Sequence, residues 1–276
     1  EMCIRDRVVR MIGLDNIPAT SMKTAEFPKP VLTPLQNNIV MAKHELASRG
    51  MYETVTFSFT DSNIAKYFRR GPEAVFIQNP IINELDEMRP SLLPNLLIGA
   101  KNNIARGYGN LALFEAAPEF FGRNPGEQRA MASGIRVGKT AKKDWTNSMR
   151  AYDVFDVKAD ALAVIAAAKG PIEAPQITTD APSYYHPGRS GVIRLGKNVL
   201  AYFGELHPAI LKALDIKTNV MAFEVFLDNI PLPRDAKSKA KKKLELSPLQ
   251  AVDKDLAFVV ARNVSAVSIA AAAKNA

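Results

Sequence analysis

The apolar stretches on either side of Gly196-Lys197-Asn198 constrain this chain more than any other feature. A glycine-led turn of that length joins two strands as a hairpin, so the pair must run antiparallel. Further runs rich in β-branched and aromatic residues read as strands: "YETVTFSF" (52–59), "AVFIQNP" (74–80), "LALFEAAPEFF" (111–121), "MASGIRVGK" (131–139) and "VMAFEVFLD" (220–228). Helical patterns interrupt them. Thr33 caps one, with Pro34 in its first turn and Gln36 three residues after the cap; Leu35, Ile39, Ala42 and Leu46 then share a face, and Gly50 stops it. A short helix runs from Asp61 to Gly71, and another begins near Leu92. A second long one spans 153–169, with Val154, Val157, Ala161, Val164 and Ala168 on one face and Gly170-Pro171 behind it. Pro208 to Leu214 reads as a short helix. Helices among hairpin-joined strands, without regular βα alternation, predict an α+β domain on a mainly antiparallel sheet flanked by helices.

The chain has 276 residues, 47% of them hydrophobic, enough for one large domain or two ordinary ones. Its longest apolar runs, such as 161–168, fall short of the ~20 residues of a membrane span, and the charged start "EMCIRDRVVRM" does not resemble a signal peptide. The expectation is a cytoplasmic protein without a membrane partner, and the single Cys3 leaves no internal disulfide. Net charge is +8, of which the run 234–243 (RDAKSKAKKK) supplies +5. That run reads as a solvated linker, or as a phosphate-contacting segment through Lys237, Lys239, Lys241, Lys242 and Lys243.

The residues carry little catalytic chemistry. His44, His186 and His207 with one cysteine have no zinc-ligand spacing, and no metal ligand is assigned. Neither common phosphate loop occurs, so no cofactor-binding residue is assigned either. Ser190 lies outside any G-x-S-x-G elbow, and no residue is assigned a catalytic role. Glu84, Asp86 and Glu87 read as charges favouring the start of the helix that follows them. Glu115 and Glu205 sit in apolar strands, where a carboxylate needs a partner. The arginines of their own phrases, Arg89 and Arg189, are the natural candidates; Arg89 has Glu87 as its other choice, or a carboxylate on another subunit. Trp145, in a basic loop, reads equally as packing or as an interface anchor.

Six phrases in order carry a resemblance: "RMIGLDNIP" (10–18), "NPIINELDEMRPSLLPNLL" (79–97), "LFEAAPEFF" (113–121), "YYHPGRSG" (184–191), "FGELHP" (203–208) and "SPLQAVDKDLAFVV" (247–260). Together they resemble the β-subunit of bacterial phenylalanine–tRNA ligase. The resemblance implies a layout. Residues 1–20 are a remnant of a preceding small domain, with 1–7 breaking the family pattern and reading as non-native; 29–232 are a class II aminoacyl-tRNA synthetase-like domain. A basic linker, 233–246, leads to 247–276, the start of a ferredoxin-like anticodon-binding module, so the chain reads as an internal piece of a longer subunit. It further implies a heterotetramer of two α- and two β-subunits that uses ATP and Mg2+ to attach phenylalanine to its tRNA, with neither cofactor bound by this segment.

A working class II site needs an arginine where the second motif's first strand ends, to hold the ATP α-phosphate, and another in a glycine-rich third motif. Here that strand ends in Phe121, with Arg123 two residues on, and "VMAFEVFLDNIPL" has neither the glycines nor the arginine. The resemblance therefore implies a non-catalytic partner of the α-subunit, in which Arg89, Glu115, His186, Arg189, Glu205 and His207 serve the subunit interface or the structure. Two other readings stay open: a tRNA- or RNA-binding module acting through 234–243, and a stand-alone non-catalytic paralogue.

Overall fold

The computed structural model describes residues 2–21, 31–71, 74–141, 145–146, 149–170, 175–231, 248–250 and 252–275. Two compact units are present, Glu1–Asp235 and Ala236–Ala276. In the first, the order is α1 (Met2–Ile12), α2 (Pro34–Ser48), β1 (Tyr52–Glu53), β2 (Phe59–Thr60), α3 (Ser62–Ala65), β3 (Glu87–Met88) and α4 (Leu93–Ala105). There follow β4 (Leu111–Phe120), β5 (Gln128–Val137), α5 (Val154–Ala167), β6 (Gln176–Thr178), β7 (Tyr185–Leu195), β8 (Asn198–Leu206), α6 (Pro208–Ala213) and β9 (Val220–Phe226).

Seven strands form one sheet in the order β1-β4-β5-β9-β8-β7-β6, and β2 pairs with β3 separately. Only the β1–β4 pairing is parallel. The expected α+β architecture is therefore present. Gly196 occupies the first loop position of the β7–β8 hairpin at φ 62°, the positive φ that a two-residue turn opening on glycine uses.

Because successive strand side chains point to opposite faces, each central strand serves two cores. On β9, Met221, Phe223 and Val225 join Phe114, Ala132 and Phe203 beneath α2 and α5. Ala222 and Phe226 turn the other way and join Met131, Ile135, α4 and α6. Helix α2 buries Ala42 and Leu46 with Leu35 and Ile39 packed beside them, and its Thr33–Gln36 capping box satisfies the first-turn donors. Helix α5 is capped likewise by Asp153 and Asp156 and buries Val157, Ala161 and Val164.

Several sequence expectations require correction. Residues 52–59 form no continuous strand: β1 ends at Glu53, and β2, beginning at Phe59, belongs to the other sheet. Backbone carbonyls between them are taken by side chains, since Asn95 Nδ2 donates to the Phe57 and Phe59 carbonyls at 2.8 and 3.2 Å and Arg89 Nη1 donates to the Phe57 carbonyl at 3.3 Å. Nor is 74–80 a strand; Phe76 makes one isolated bridge to Glu87. The helix after Asp61 covers only Ser62–Ala65. Asp86 does not serve α4: it accepts from the Ser62 N–H at 2.9 Å and the Ser62 hydroxyl at 2.7 Å, at the start of α3. The short edge strand β6 has no counterpart in the sequence reading.

In the second unit the alanine-rich tail forms α7 (Ala266–Asn275). "DLAFVV" (255–260) is not a strand: no partner strand lies among the described residues of this unit, and Leu256, Phe258 and Val259 are exposed. The five lysines of the basic run lie outside the described residues. No described helix is long and apolar enough to cross a membrane.

Candidate functional site

The sheet face beneath α4 and α6 carries a row of polar side chains. Glu115 on β4 lies opposite Ser133 on β5, Ser133 opposite Glu224 on β9, and Glu224 opposite Tyr202 on β8. Glu119 lies on the same face of β4, farther along. Glu115, Glu119, Ser133 and Glu224 are all buried, so each carboxylate must be neutralised within the fold.

Two networks do this. In the first, Arg89 Nη1 donates to Glu115 at 2.8 Å and Arg89 Nε donates to the Pro118 carbonyl at 3.0 Å, while the Thr56 hydroxyl donates to the other Glu115 oxygen at 2.7 Å. Arg89 is only 1% exposed. Its partner is Glu115 rather than Glu87, because Glu87 is held by both Nε and Nη2 of Arg69. This pair joins the 56–59 segment to β4 and the start of α4.

In the second network Arg70 is central. Its Nη1 donates to Glu224 at 2.9 Å and its Nη2 to Glu119, which also accepts from Arg129 Nε. Glu224 further accepts from the Ser91 hydroxyl at 2.6 Å and the Tyr184 hydroxyl at 2.7 Å, with Tyr185 at 3.3 Å. Burial raises both tyrosines well above their ordinary range, so their hydroxyls are neutral donors. Burial also raises the Glu119 carboxyl, against the opposing pull of Arg70 and Arg129. Ser133, between Glu115 and Glu224 in the row, has a buried hydroxyl with no partner among the described residues.

Residues 184–191 are not a loop but lead into the first half of β7, which is bulged between Tyr185 and Ser190 and holds itself. His186 Nδ1 accepts from the Gly188 N–H at 3.1 Å, and His207 Nδ1 caps α6 by accepting from the Ala209 N–H at 3.2 Å. The two rings stack with centroids 6.5 Å apart. Ser190 donates to the His186 carbonyl at 2.7 Å, not to an imidazole, so it has no general base in this arrangement. Arg189 Nη1 reaches Glu205 at 2.6 Å; the arginine side chain is 56% exposed and the glutamate 3%.

The opposite face carries its own charge cluster. Asp160 on α5 accepts from Arg136 Nε at 2.6 Å and Nη2 at 2.9 Å, and from Arg49 Nε at 2.7 Å, tying α5 to β5 and to the end of α2. Burial works against the Arg136 charge, but the Asp160 carboxylate outweighs it and holds the guanidinium above its ordinary value. Trp145 is 96% exposed.

The residues present do not fit ATP in the class II manner. Phe121 follows the end of β4 and stacks with Arg129, whose Cζ lies 5.3 Å from its ring centroid. Arg123 lies exposed in the loop before β5, beyond a β4 that ends at Phe120, one residue earlier than expected. As the sequence already shows, β9, where the third motif should fall, carries no arginine; its buried charge is Glu224. Among the described residues no group of three His, Cys, Asp or Glu side chains could hold a metal ion.

Sequence reasoning missed Arg70, Glu119, Arg129 and Glu224. The signal was available for the two acids, since each interrupts an apolar strand as Glu115 and Glu205 do. It was absent for Arg70, whose partners lie 49 and 154 residues away.

The family profile described as "Phenylalanyl tRNA synthetase beta chain CLM domain" matches residues 17–227. Among curated relatives, the phenylalanine–tRNA ligase β-subunit of Rhodospirillum rubrum is 48% identical over 98% of this chain and 34% of its own length. That of Paramagnetospirillum magneticum is 45% identical, again over 98% and 34%. The chain thus spans about a third of the length of the curated relatives it matches. Among solved structures, pyrrolysyl-tRNA synthetase from Desulfitobacterium hafniense superposes with a TM-score of 0.53 at 15% identity, covering 82% of this chain and 73% of that one. That likeness is one of fold.

Proposed function

The chain belongs to the phenylalanyl-tRNA synthetase β-chain family through its CLM domain, and from that premise we propose that it is a non-catalytic core which assembles with an α-subunit that performs the chemistry. The observation that most favours this reading is the closure of its class II-like face. Where phosphate-holding arginines would face a substrate, Phe121 ends the strand, and Glu115, Glu119 and Glu224 consume Arg89, Arg70 and Arg129 in internal pairs. Arginines paired in this way keep some donors but too little surplus charge to match that of a triphosphate.

In this reading the whole enzyme joins phenylalanine to its tRNA at the expense of ATP with Mg2+, in the cytoplasm, as a heterotetramer of two α- and two β-chains. ATP and Mg2+ act on the α-subunit. The buried Arg89–Glu115 pair and His207 hold this domain together. The exposed first half of β7, with His186 and Arg189, and the exposed Trp145 are the better candidates to meet the partner. The basic run, with Lys237, Lys239, Lys241, Lys242 and Lys243, is a candidate contact for tRNA phosphates, and 247–276 open the ferredoxin-like anticodon-binding module.

Co-expression with a cognate α-subunit tests the assembly. The two chains should co-purify at equal stoichiometry; a chain that elutes alone from a preparation containing folded α-subunit would favour a stand-alone paralogue.

A further inference from the structure

Arg69, Arg70 and Arg129 line one cavity of about 260 Å³, together with Gly71 and Phe121. The glutamates that pair with them lie beneath it: Glu87 and Glu119 are each 1% exposed and Glu224 is 0%. The arginine side chains lie nearer the surface, at 27%, 13% and 32% exposure respectively. Acceptors are thus turned inward, and the accessible charged groups are donors.

Each guanidinium also keeps donors in reserve. Arg69 holds Glu87 through Nε and Nη2, leaving Nη1. Arg70 spends both terminal nitrogens on Tyr184, Glu224 and Glu119, and its Nε is buried without a partner among the described residues. Arg129 holds Glu119 through Nε alone, so that Nη1 and Nη2 have no hydrogen-bond partner among the described residues, and its guanidinium is flanked by Phe121 and Phe226, with Cζ 5.3 and 4.7 Å from their ring centroids. Guanidiniums held rigid by internal carboxylates lose little freedom on meeting a further anion.

We infer that this cavity binds a small phosphate anion, through Arg69 Nη1 and the terminal nitrogens of Arg129, with Arg70 holding the buried glutamates beneath them. Donors from two guanidiniums suit a tetrahedral anion with several oxygens better than a planar carboxylate, which one arginine fork already saturates. Size separates the ligand from a nucleotide. Pockets that enclose drug-sized molecules run from about 300 to 1,000 Å³, so this one takes inorganic phosphate or the phosphate end of a small ester. The inference stands apart from the assembly reading, because it needs neither the α-subunit nor tRNA.

The test is calorimetric titration of the full chain with inorganic phosphate, repeated with acetate. Two variants accompany it. Arg129→Gln removes donors. Gly71→Asp puts an acid at the cavity wall, where an added Cβ meets nothing within 4 Å, so the fold tolerates it. Phosphate should bind saturably to one site and more tightly than acetate. Each variant should weaken it by about tenfold or more, the loss expected for one charge-assisted hydrogen bond or its equivalent in repulsion. Should Arg129→Gln fail to fold, Gly71→Asp decides alone. Absence of saturable binding, binding undiminished in Gly71→Asp, or acetate binding as tightly as phosphate would each overturn the assignment.

Discussion

Replacing Glu224 by alanine is the most informative single perturbation of the sheet face. The side chain is wholly buried and accepts from Arg70 at 2.9 Å, Ser91 at 2.6 Å and Tyr184 at 2.7 Å, with Tyr185 at 3.3 Å. Breaking one partner of a buried ion pair costs about 3–5 kcal/mol. The lower end applies to the pair itself, because Arg70 keeps Glu119. Stranding Ser91 and Tyr184 adds about 1–3 kcal/mol per hydroxyl left unsatisfied, partly relieved as they turn to each other or to water. These contributions share partners and do not add in full. A loss of about 4 kcal/mol is expected, a large fraction of the 5–15 kcal/mol typical of a domain. Urea unfolding followed by far-ultraviolet circular dichroism measures it. Glu224→Gln, which keeps the shape and some hydrogen bonds, should cost about half as much. A loss below about 1 kcal/mol for Glu224→Ala, with the urea slope unchanged, would refute the claim that this network holds the fold.

Three further outcomes follow from the geometry. Arg189→Gln should destabilise by about 1–3 kcal/mol despite the exposure of the arginine, because Glu205 is left buried and without its charge partner; thermal melting reads it. His207→Ala removes the side-chain cap of α6 and should cost about 1 kcal/mol by urea unfolding. Although burial works against the ionised form of Asp156, Arg150 and the Asp153 N–H outweigh it and hold the carboxyl below its ordinary 3.8. Its stabilising contribution is therefore complete above that value and is lost as pH falls through the lower folded value, so the melting-temperature gap between wild type and Asp156→Asn should narrow on acidification from about pH 6.

Much of the scaffold was legible because its signals are local. The Thr33–Gln36 capping box, the Asp153 start of α5, the His207-Pro208 start of α6 and the Gly196 hairpin are each specified within a few residues, and each forms. Alternation failed where tertiary partners claimed the backbone, as Asn95 and Arg89 do at Phe57. It failed again at 74–80, which makes a single bridge to β3, and at 255–260, which has no partner strand among the described residues of its unit. For the candidate site, a carboxylate within an apolar strand proved the useful signal, and it was applied to only two of the four acids that carry it. Which arginine meets which acid depends on sheet register and chain crossings. Arg70 reaches β4 and β9 from the segment after α3, a relation that no spacing encodes.

The claim that this domain performs no adenylation is tested most directly by phenylalanine-dependent ATP–pyrophosphate exchange on the purified chain. The closed sheet face, with Phe121 where a phosphate-holding arginine would stand and no arginine on β9, predicts no exchange above the phenylalanine-free control. Exchange that requires phenylalanine and saturates with ATP would contradict it.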